Sequence, residues 1–340
     1  MLRWFLGILL CLCTLTIITA WWFHNEMSSP YYGASSPETF VEIPKGAGTE
    51  AIAKLLVDAG IIHHKYPFLF YLRWTGGAVH LKAGEYRFIS PATTAQIVRK
   101  LTNGEVYYIP ITIPEGLTAR ETIKLIAAAN LGNLDELQDA LLRTEWIRDL
   151  DPSARNLEGF LFPETYRFPR RTTSEEIIKA LVDQFHVRFN KIISENPPPP
   201  AWSNSRIVTL ASMIEKEVKT PSERPIVASV LVNRLSIGMP LACDPTIIYA
   251  LKLTGSYDGN LHKADLSLKS PYNTYIVQGL PPGPIANPGE ASLRAALSPA
   301  HDSYLYYVSR NDGTHQFSKD FRSHQIAVMR FQKGMSHTRH

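Results

Sequence analysis

Two glutamates separated by one lysine, Glu215 and Glu217, close an apolar stretch in LASMIEKEVKT, residues 210–220. A carboxylate at the margin of a buried stripe is costly to desolvate unless it is paired or used. Held protonated by apolar neighbours, it can act as a general acid near neutral pH. Asp244 and Glu290 are further candidates for such chemistry. Other reaction types find less support. No G-x-S-x-G occurs, and His262, His301, His315 and His324 sit in polar, loop-like contexts without an obvious partner, so a Ser-His-Asp nucleophile is hard to build. P-loop and Rossmann fingerprints are absent. The histidines show no ligand spacing with Cys or Asp, and His63-His64 reads as a solvated turn, so no metal is expected.

The spacing of Ile207, Leu210, Ala211, Ile214 and Val218 predicts a helix over 206–218 with one apolar stripe. At about 100° per residue, Glu215 and Glu217 flank that stripe on opposite sides while Lys216 points away. One carboxylate can pair with a surface cation such as Lys219 or Arg224 while the other faces a cleft; periodicity does not choose between them. Downstream, LACDPTIIYAL, SPYNTYIVQGLPPGPIANPGEAS and YLYYVSRNDGTHQFS are rich in Tyr, Asn, Thr, Gln, Pro and Gly. Rigid loops with aromatic bodies and amide or hydroxyl tips suit a groove for a polar, ring-shaped ligand such as a sugar. They equally suit a loop-rich edge held by side-chain bonds to its own backbone.

Other elements must position these residues. A second helix is expected over ERPIVASVLVNRLSIG, residues 223–238, and Pro197–Pro200 reads as a stiff spacer and domain boundary before both. Residues 131–195 look largely helical, interrupted by LEGFLFPETYRFP. Further upstream, VEIPKG (41–46) is echoed by ITIPEG (111–116), each a short strand ending in Pro-x-Gly. A helical segment follows each echo, with Thr49 and Thr118 as expected N-caps, and AGEYRFI and TTAQIVRKLTNG lie between. Residues 41 to about 130 therefore read as small βα units, an ordinary structural repeat.

At the N-terminus, Trp4 to Phe23 runs twenty residues without a charge, about 30 Å as a helix and one hydrocarbon core thick. Arg3 precedes it and Trp4, Trp21 and Trp22 sit at interfacial positions. It is longer than a signal-peptide apolar region and lacks a good small-x-small site, so an uncleaved anchor is expected. The basic end belongs in the cytoplasm, placing the rest outside. Only Cys243 lies beyond the span, so no internal disulfide is available. A net charge of +4 over 340 residues, without a Lys/Arg block, gives no reason to expect a nucleic-acid partner.

ASMIEKE, ASVLVNRLSIGMPLACDPTIIYAL and YNTYIVQGLPPGPIANPGEASLRAAL closely resemble the YceG-like family of endolytic murein transglycosylases, and EGFLFPETY, LKAGEYRF and ITIPEGLT resemble its first half. The similarity runs from the anchor to about residue 330. Glu164 stands where the family is expected to carry aspartate, and 131–156 carries no signature. The resemblance implies a single-pass inner-membrane protein with a small LysM-like peptidoglycan-binding domain and a catalytic domain that cuts glycan strands internally. It implies cleavage of the MurNAc–GlcNAc β-1,4 bond without water, leaving 1,6-anhydro-MurNAc ends and needing no metal or cofactor. It puts the catalytic glutamate on the second of E-K-E, Glu217, with Glu215 the runner-up. It makes Asn233, Asp244, Thr246, Tyr272, Asn273, Thr274, Gln278 and Asn287 groove candidates. Cell-wall synthesis proteins and termination of nascent strands follow only from family and location.

The expected fold class is α+β: anchor 1–24, stalk 25–40, LysM-like domain 41–105, a connecting region 106–196, a mixed α+β catalytic domain 201–333 and a frayed tail 334–340. Two alternatives remain: a non-catalytic wall-binding scaffold, and a two-carboxylate hydrolase using Glu217 with Asp244.

Overall fold

The apolar N-terminal run forms helix α1 (Leu2–Ser28) in the computed structural model, which describes residues 2–31, 33, 38–76, 81–89 and 91–333. Helix α1 does not stop where the apolar run ends. Residues 25–28, expected to open a stalk, are its last turn, and Tyr31 makes a β-bridge to Ala92. The expected tail at 334–340 lies outside the described residues.

The chain divides into two units, Met1–Ile109 and Pro110–His340. In the first, strand β1 (Glu38–Ile43) pairs antiparallel with β2 (Gly84–Ile89), from Glu38 opposite Ile89 to Ile43 opposite Gly84. Helices α2 (Thr49–Asp58) and α3 (Lys65–Thr75) lie between the strands in sequence and α4 (Thr94–Asn103) follows. Alternate residues of β1, Val41 and Ile43, join Ile52, Leu56, Phe68, Leu72, Tyr86 and Leu101 in one core. Tyr86 is fully buried and donates its hydroxyl to Lys82 O at 2.7 Å, while burial pushes its pKa up to about 12. Gly48, not Thr49, is the N-cap of α2. Thr93 caps α4 with a reciprocal bond from Gln96.

The second unit begins with β3 (Ile109–Thr112 at the boundary), paired with β4 (Thr165–Phe168). Then come α5 (Ala119–Ala128), α6 (Leu134–Ala140), the long α7 (Ser174–Glu195) and α8 (Asn204–Glu217). They are followed by α9 (Arg224–Ser236), α10 (Asp244–Thr254), α11 (Glu290–Leu297), the antiparallel hairpin β5 (Tyr306–Ser309) and β6 (His315–Ser318), and α12 (Phe321–Val328). The two Pro-x-Gly echoes are both strand–turn–helix units, with Gly46 and Gly116 at φ 77° and 76°. They fall in different units, and Thr118 caps α5 through a box with Glu121. The spacer at 197–200 is a connection between α7 and α8 inside the second unit, not a boundary between units.

Helix α8 packs against α9, α10 and α11, so it is covered all round instead of along one stripe. Every residue from Ile207 to Ile214 is buried, including Thr209, Ser212 and Met213. Ser212 shows how the polar members are accommodated: its hydroxyl donates to Thr209 O at 2.7 Å and accepts Ile285 N–H at 3.0 Å. Both glutamates lie at its C-terminal end, just past this buried run.

Candidate active site

The two flanks of the α8 terminus meet different surroundings. Glu215, with its side chain 6% exposed, accepts Arg224 Nη2 at 3.1 Å and the Gly289 backbone N–H at 3.0 Å. Arg224 also lies 3.6 Å from Glu115. Lys216 reaches back to Gly116 O at 2.9 Å, so α8 is fastened to the turn of the second echo. Glu215 therefore joins α8, the start of α9 and the start of α11. Burial and the neighbouring Glu215 charge raise the pKa of Glu115, while Arg224 opposes them.

Glu217 faces the other way. The Cys243 thiol, the Tyr307 hydroxyl, Arg234 and Asp244 surround it and act on its charge, and the thiol donates to Leu241 O at 3.6 Å. Protein atoms crowd it on most sides, yet part of its surface stays open to solvent. Desolvation is the main cause that pushes its pKa up to about 7, with the Asp244 charge adding to it; Cys243, Tyr307 and Arg234 pull the other way. Near neutral pH this carboxyl is thus poised between acid and base. Burial also pushes the Cys243 thiol and the Tyr307 phenol well up, so both stay protonated as donors.

The neighbours of Glu217 are held by specific contacts. Ala242 adopts φ 50°, an uncommon left-handed turn for a residue with a side chain, immediately before Cys243. Thr274 pins that turn: its carbonyl accepts Ala242 N–H and its hydroxyl accepts Cys243 N–H, each at 3.0 Å. Arg234 donates to Leu241 O at 2.6 Å and to Leu305 O at 2.7 Å, joining α9 to this turn and to the approach of β5. Glu223 accepts both His315 N–H at 2.9 Å and His315 Nδ1 at 2.7 Å, which ties the hairpin carrying Tyr307 to the α8–α9 connection.

The expected groove residues separate into two groups. Thr246, Asn273, Thr274 and Asn287 are buried and occupied by protein partners. Thr246 bonds Cys243 O at 2.7 Å and Thr274 at 2.9 Å. Asn273 Nδ2 donates to Leu266 O and Leu268 O. Asn287 Oδ1 accepts Gly159 N–H and Leu161 N–H, and its Nδ2 donates to Leu117 O. The second group keeps open surface. Asp244 is exposed at the first turn of α10 and accepts the Tyr275 hydroxyl at 2.6 Å. Gln278 is exposed, and Tyr272 is half-buried with its ring 4.9 Å from that of Tyr249. Asn233 is half-buried and donates to Asp302 O and Tyr304 O. Glu290 lies elsewhere, in a network with Arg294 at 2.7 Å and Arg188 at 3.9 Å.

Sequence reasoning passed over Cys243, Arg234, Tyr275 and Tyr307 as site residues. The Asp312-Gly313 pair was the available signal for the hairpin that brings Tyr307 in. Three of the histidines first read as unpartnered have neighbours: His315 with Glu223, His262 with Asp258 at 3.0 Å, and His324 stacked on Tyr306. Another buried acid was also missed. Glu158 accepts Ala119 N–H at 2.9 Å and the Tyr249 hydroxyl at 3.2 Å, and desolvation pushes it to about 7. Among the described residues, one cluster has metal-ligand types: Glu26, His63 and His64, with ligating atoms within 4.8 Å of one another.

The model of the YceG-like family matches residues 41–330. An endolytic murein transglycosylase of Bacillus subtilis is 32% identical over 92% of this chain and 90% of its own length. One from Streptococcus pneumoniae is 29% identical over 79% of the chain, which spans 54% of that longer relative. A crystal structure described as that of a yceG-like protein from Listeria monocytogenes superposes with a TM-score of 0.57 at 32% identity, over 86% of this chain and 99% of that one. With most of its length matched in this way, the chain belongs to the YceG-like family.

Proposed function

We propose that this protein is a lytic transglycosylase that cuts peptidoglycan glycan strands internally, with Glu217 as its single acid/base. The observation that carries the reading is the Glu217 carboxyl, raised to about 7, partly open to solvent and flanked by the protonated Tyr307 hydroxyl and Cys243 thiol. Protonated, it gives its proton to the glycosidic oxygen as the bond to the leaving sugar breaks and oxocarbenium character develops. The carboxylate left behind is stabilised by Tyr307, Cys243 and Arg234, the groups that already favour its charged form. It then takes a proton from the C6 hydroxyl of the same MurNAc ring, whose oxygen closes on C1 as a 1,6-anhydro end. The nucleophile is intramolecular, so effective molarity replaces an activated water. Asp244 supplies negative charge facing the developing cation, and Tyr272, Gln278 and Asn233 have the surface to meet sugar hydroxyls. Thr246, Asn273, Thr274 and Asn287 serve the same reaction by holding the loops.

Helix α1 spans the cytoplasmic membrane once, with the chain that follows it on the outer side; the twenty uncharged residues and interfacial tryptophans support this. The first unit holds wall polymer as a LysM-like module, a role its small sheet with two intervening helices supports. Acting beside the membrane, the enzyme ends strands soon after they are made.

The test is incubation of the full chain in detergent with purified glycan strands, followed by mass spectrometry. Anhydro-ended internal fragments are expected. Products heavier by one water would identify a hydrolase using Asp244, and unchanged strands a binding scaffold.

A further inference from the structure

We infer that α3 lies in the outer interface of the membrane that α1 spans, its exposed aromatic stripe seated among the lipid headgroups; this rests on the proposed anchoring by α1. Helix α3 has two faces. Pro67, Phe68 and Leu72 are buried in the core of the first unit. Tyr66, Phe70 and Trp74, at i, i+4 and i+8, form a stripe on another face, with 65%, 47% and 79% of their surface exposed. Single exposed aromatics are ordinary, but three in one row on a short helix need an occupant.

The end of α1 identifies that occupant. Phe23 is the last residue of the uncharged run, and its ring meets Phe70 edge-on with centroids 4.9 Å apart. Trp22 lies 5.7 Å from the His64 ring at the start of α3. Helix α1 then continues to Ser28 without a break, and Thr94 of α4 bonds Glu26 O at 3.3 Å, so this junction is built into the unit. A bilayer spanned by Trp4–Phe23 has the edge of its hydrocarbon core at Phe23, and hence beside Phe70. Tyr66 and Trp74 are each four residues from Phe70, about 6 Å along the helix. The polar interfacial layer is itself about 6 Å thick on each side. Whatever the inclination of α3, all three rings stay within reach of that layer. Tyr and Trp are the side chains such a layer accommodates best, and Lys65 and Arg73 stand beside the stripe to meet phosphates. The first unit would thereby be held flat against the membrane and not on a free tether.

The test uses the full chain in phospholipid vesicles containing anionic lipid, with nitroxide labels read by collision with oxygen and with an aqueous nickel chelate. One sample carries labels on native Cys11 and Cys13; the other is Cys11→Ser/Cys13→Ser/Trp74→Cys, with a matching variant at exposed Lys45, Lys45→Cys, just past the sheet end opposite the Tyr31–Ala92 bridge, as the aqueous standard. The expected result is loss of nickel-chelate contact and gain of oxygen contact at position 74 relative to position 45. If position 74 matches position 45 while the span labels are lipid-shielded, the inference is overturned and the anchoring stands. Shielding of position 74 from both reagents would overturn it in favour of a protein contact. Span labels open to the chelate would overturn the anchoring itself and the inference with it.

Discussion

Glu217→Gln and Glu215→Gln should change stability in opposite directions, although the two residues are one lysine apart. Raising the Glu217 carboxyl from 4.5 to about 7 means that its ionised form is destabilised by about 3 kcal/mol in the folded chain. The folded state holds this proton more tightly than the unfolded chain does. Its contribution is therefore fully present below the unfolded value of 4.5 and is lost as pH rises through about 7. Glutamine removes the ionisation. Allowing for the open side of the residue, Glu217→Gln should gain about 2 kcal/mol relative to wild type at pH 8.5 over the difference seen at pH 5. Glu215→Gln instead leaves Arg224, 10% exposed, without its partner at 3.1 Å. Breaking such a pair costs about 3 kcal/mol, softened here because Glu115 stays 3.6 Å away. Urea unfolding of the full chain in detergent at the two pH values, followed by circular dichroism, measures both effects. The reasoning is refuted if Glu217→Gln is the destabilised variant at the higher pH, or if its difference from wild type does not change with pH.

Further consequences concern the charge balance and the frame of the site. Tyr307→Phe removes a hydroxyl that favours ionised Glu217, so the alkaline limb of the pH–rate profile should move up by about one pH unit. Asp244→Asn removes a charge that opposes ionisation, so the same limb should move down. Asn287→Ala leaves Gly159 N–H and Leu161 N–H unsatisfied in the core, while Leu117 O keeps the backbone N–H of residue 287, and should cost about 3 kcal/mol in urea unfolding. If it weakens glycan binding with unfolding stability intact, Asn287 is a substrate contact instead. Gly159→Ala places a methyl group against the Pro284 ring from a backbone at φ 88°, and should lower folded yield more than Gly238→Ala, which carries backbone strain at φ 69° but meets nothing near its side.

Much of this architecture can be read from local pattern. The uncharged run of α1, the apolar period of α8 and the two Pro-x-Gly echoes are signals carried by neighbouring residues, and each marks an observed element. Signals that depend on distant partners are harder. Four rigid prolines read as a domain boundary, yet they turn the chain between α7 and α8 within one unit, because stiffness alone does not show where cores divide. Thr246, Asn273, Thr274 and Asn287 have the composition of a sugar groove, but Gly- and Pro-rich loops leave backbone groups unpaired, and these side chains satisfy them. The flanking positions of Glu215 and Glu217 were legible from helix geometry; their different surroundings were not. Those depend on Arg224, nine residues along, and on Tyr307, which reaches Glu217 from a hairpin far downstream. Glu26 joins His63 and His64 across 37 residues, a separation that no motif spacing covers.

The most direct test of the central claim compares wild type, Glu217→Gln and Glu215→Gln on purified glycan strands, with product masses read by mass spectrometry. The account predicts anhydro-ended fragments from wild type, none from Glu217→Gln although strands still bind, and residual cleavage by the folded fraction of Glu215→Gln. Cleavage by Glu217→Gln at the wild-type rate would contradict it.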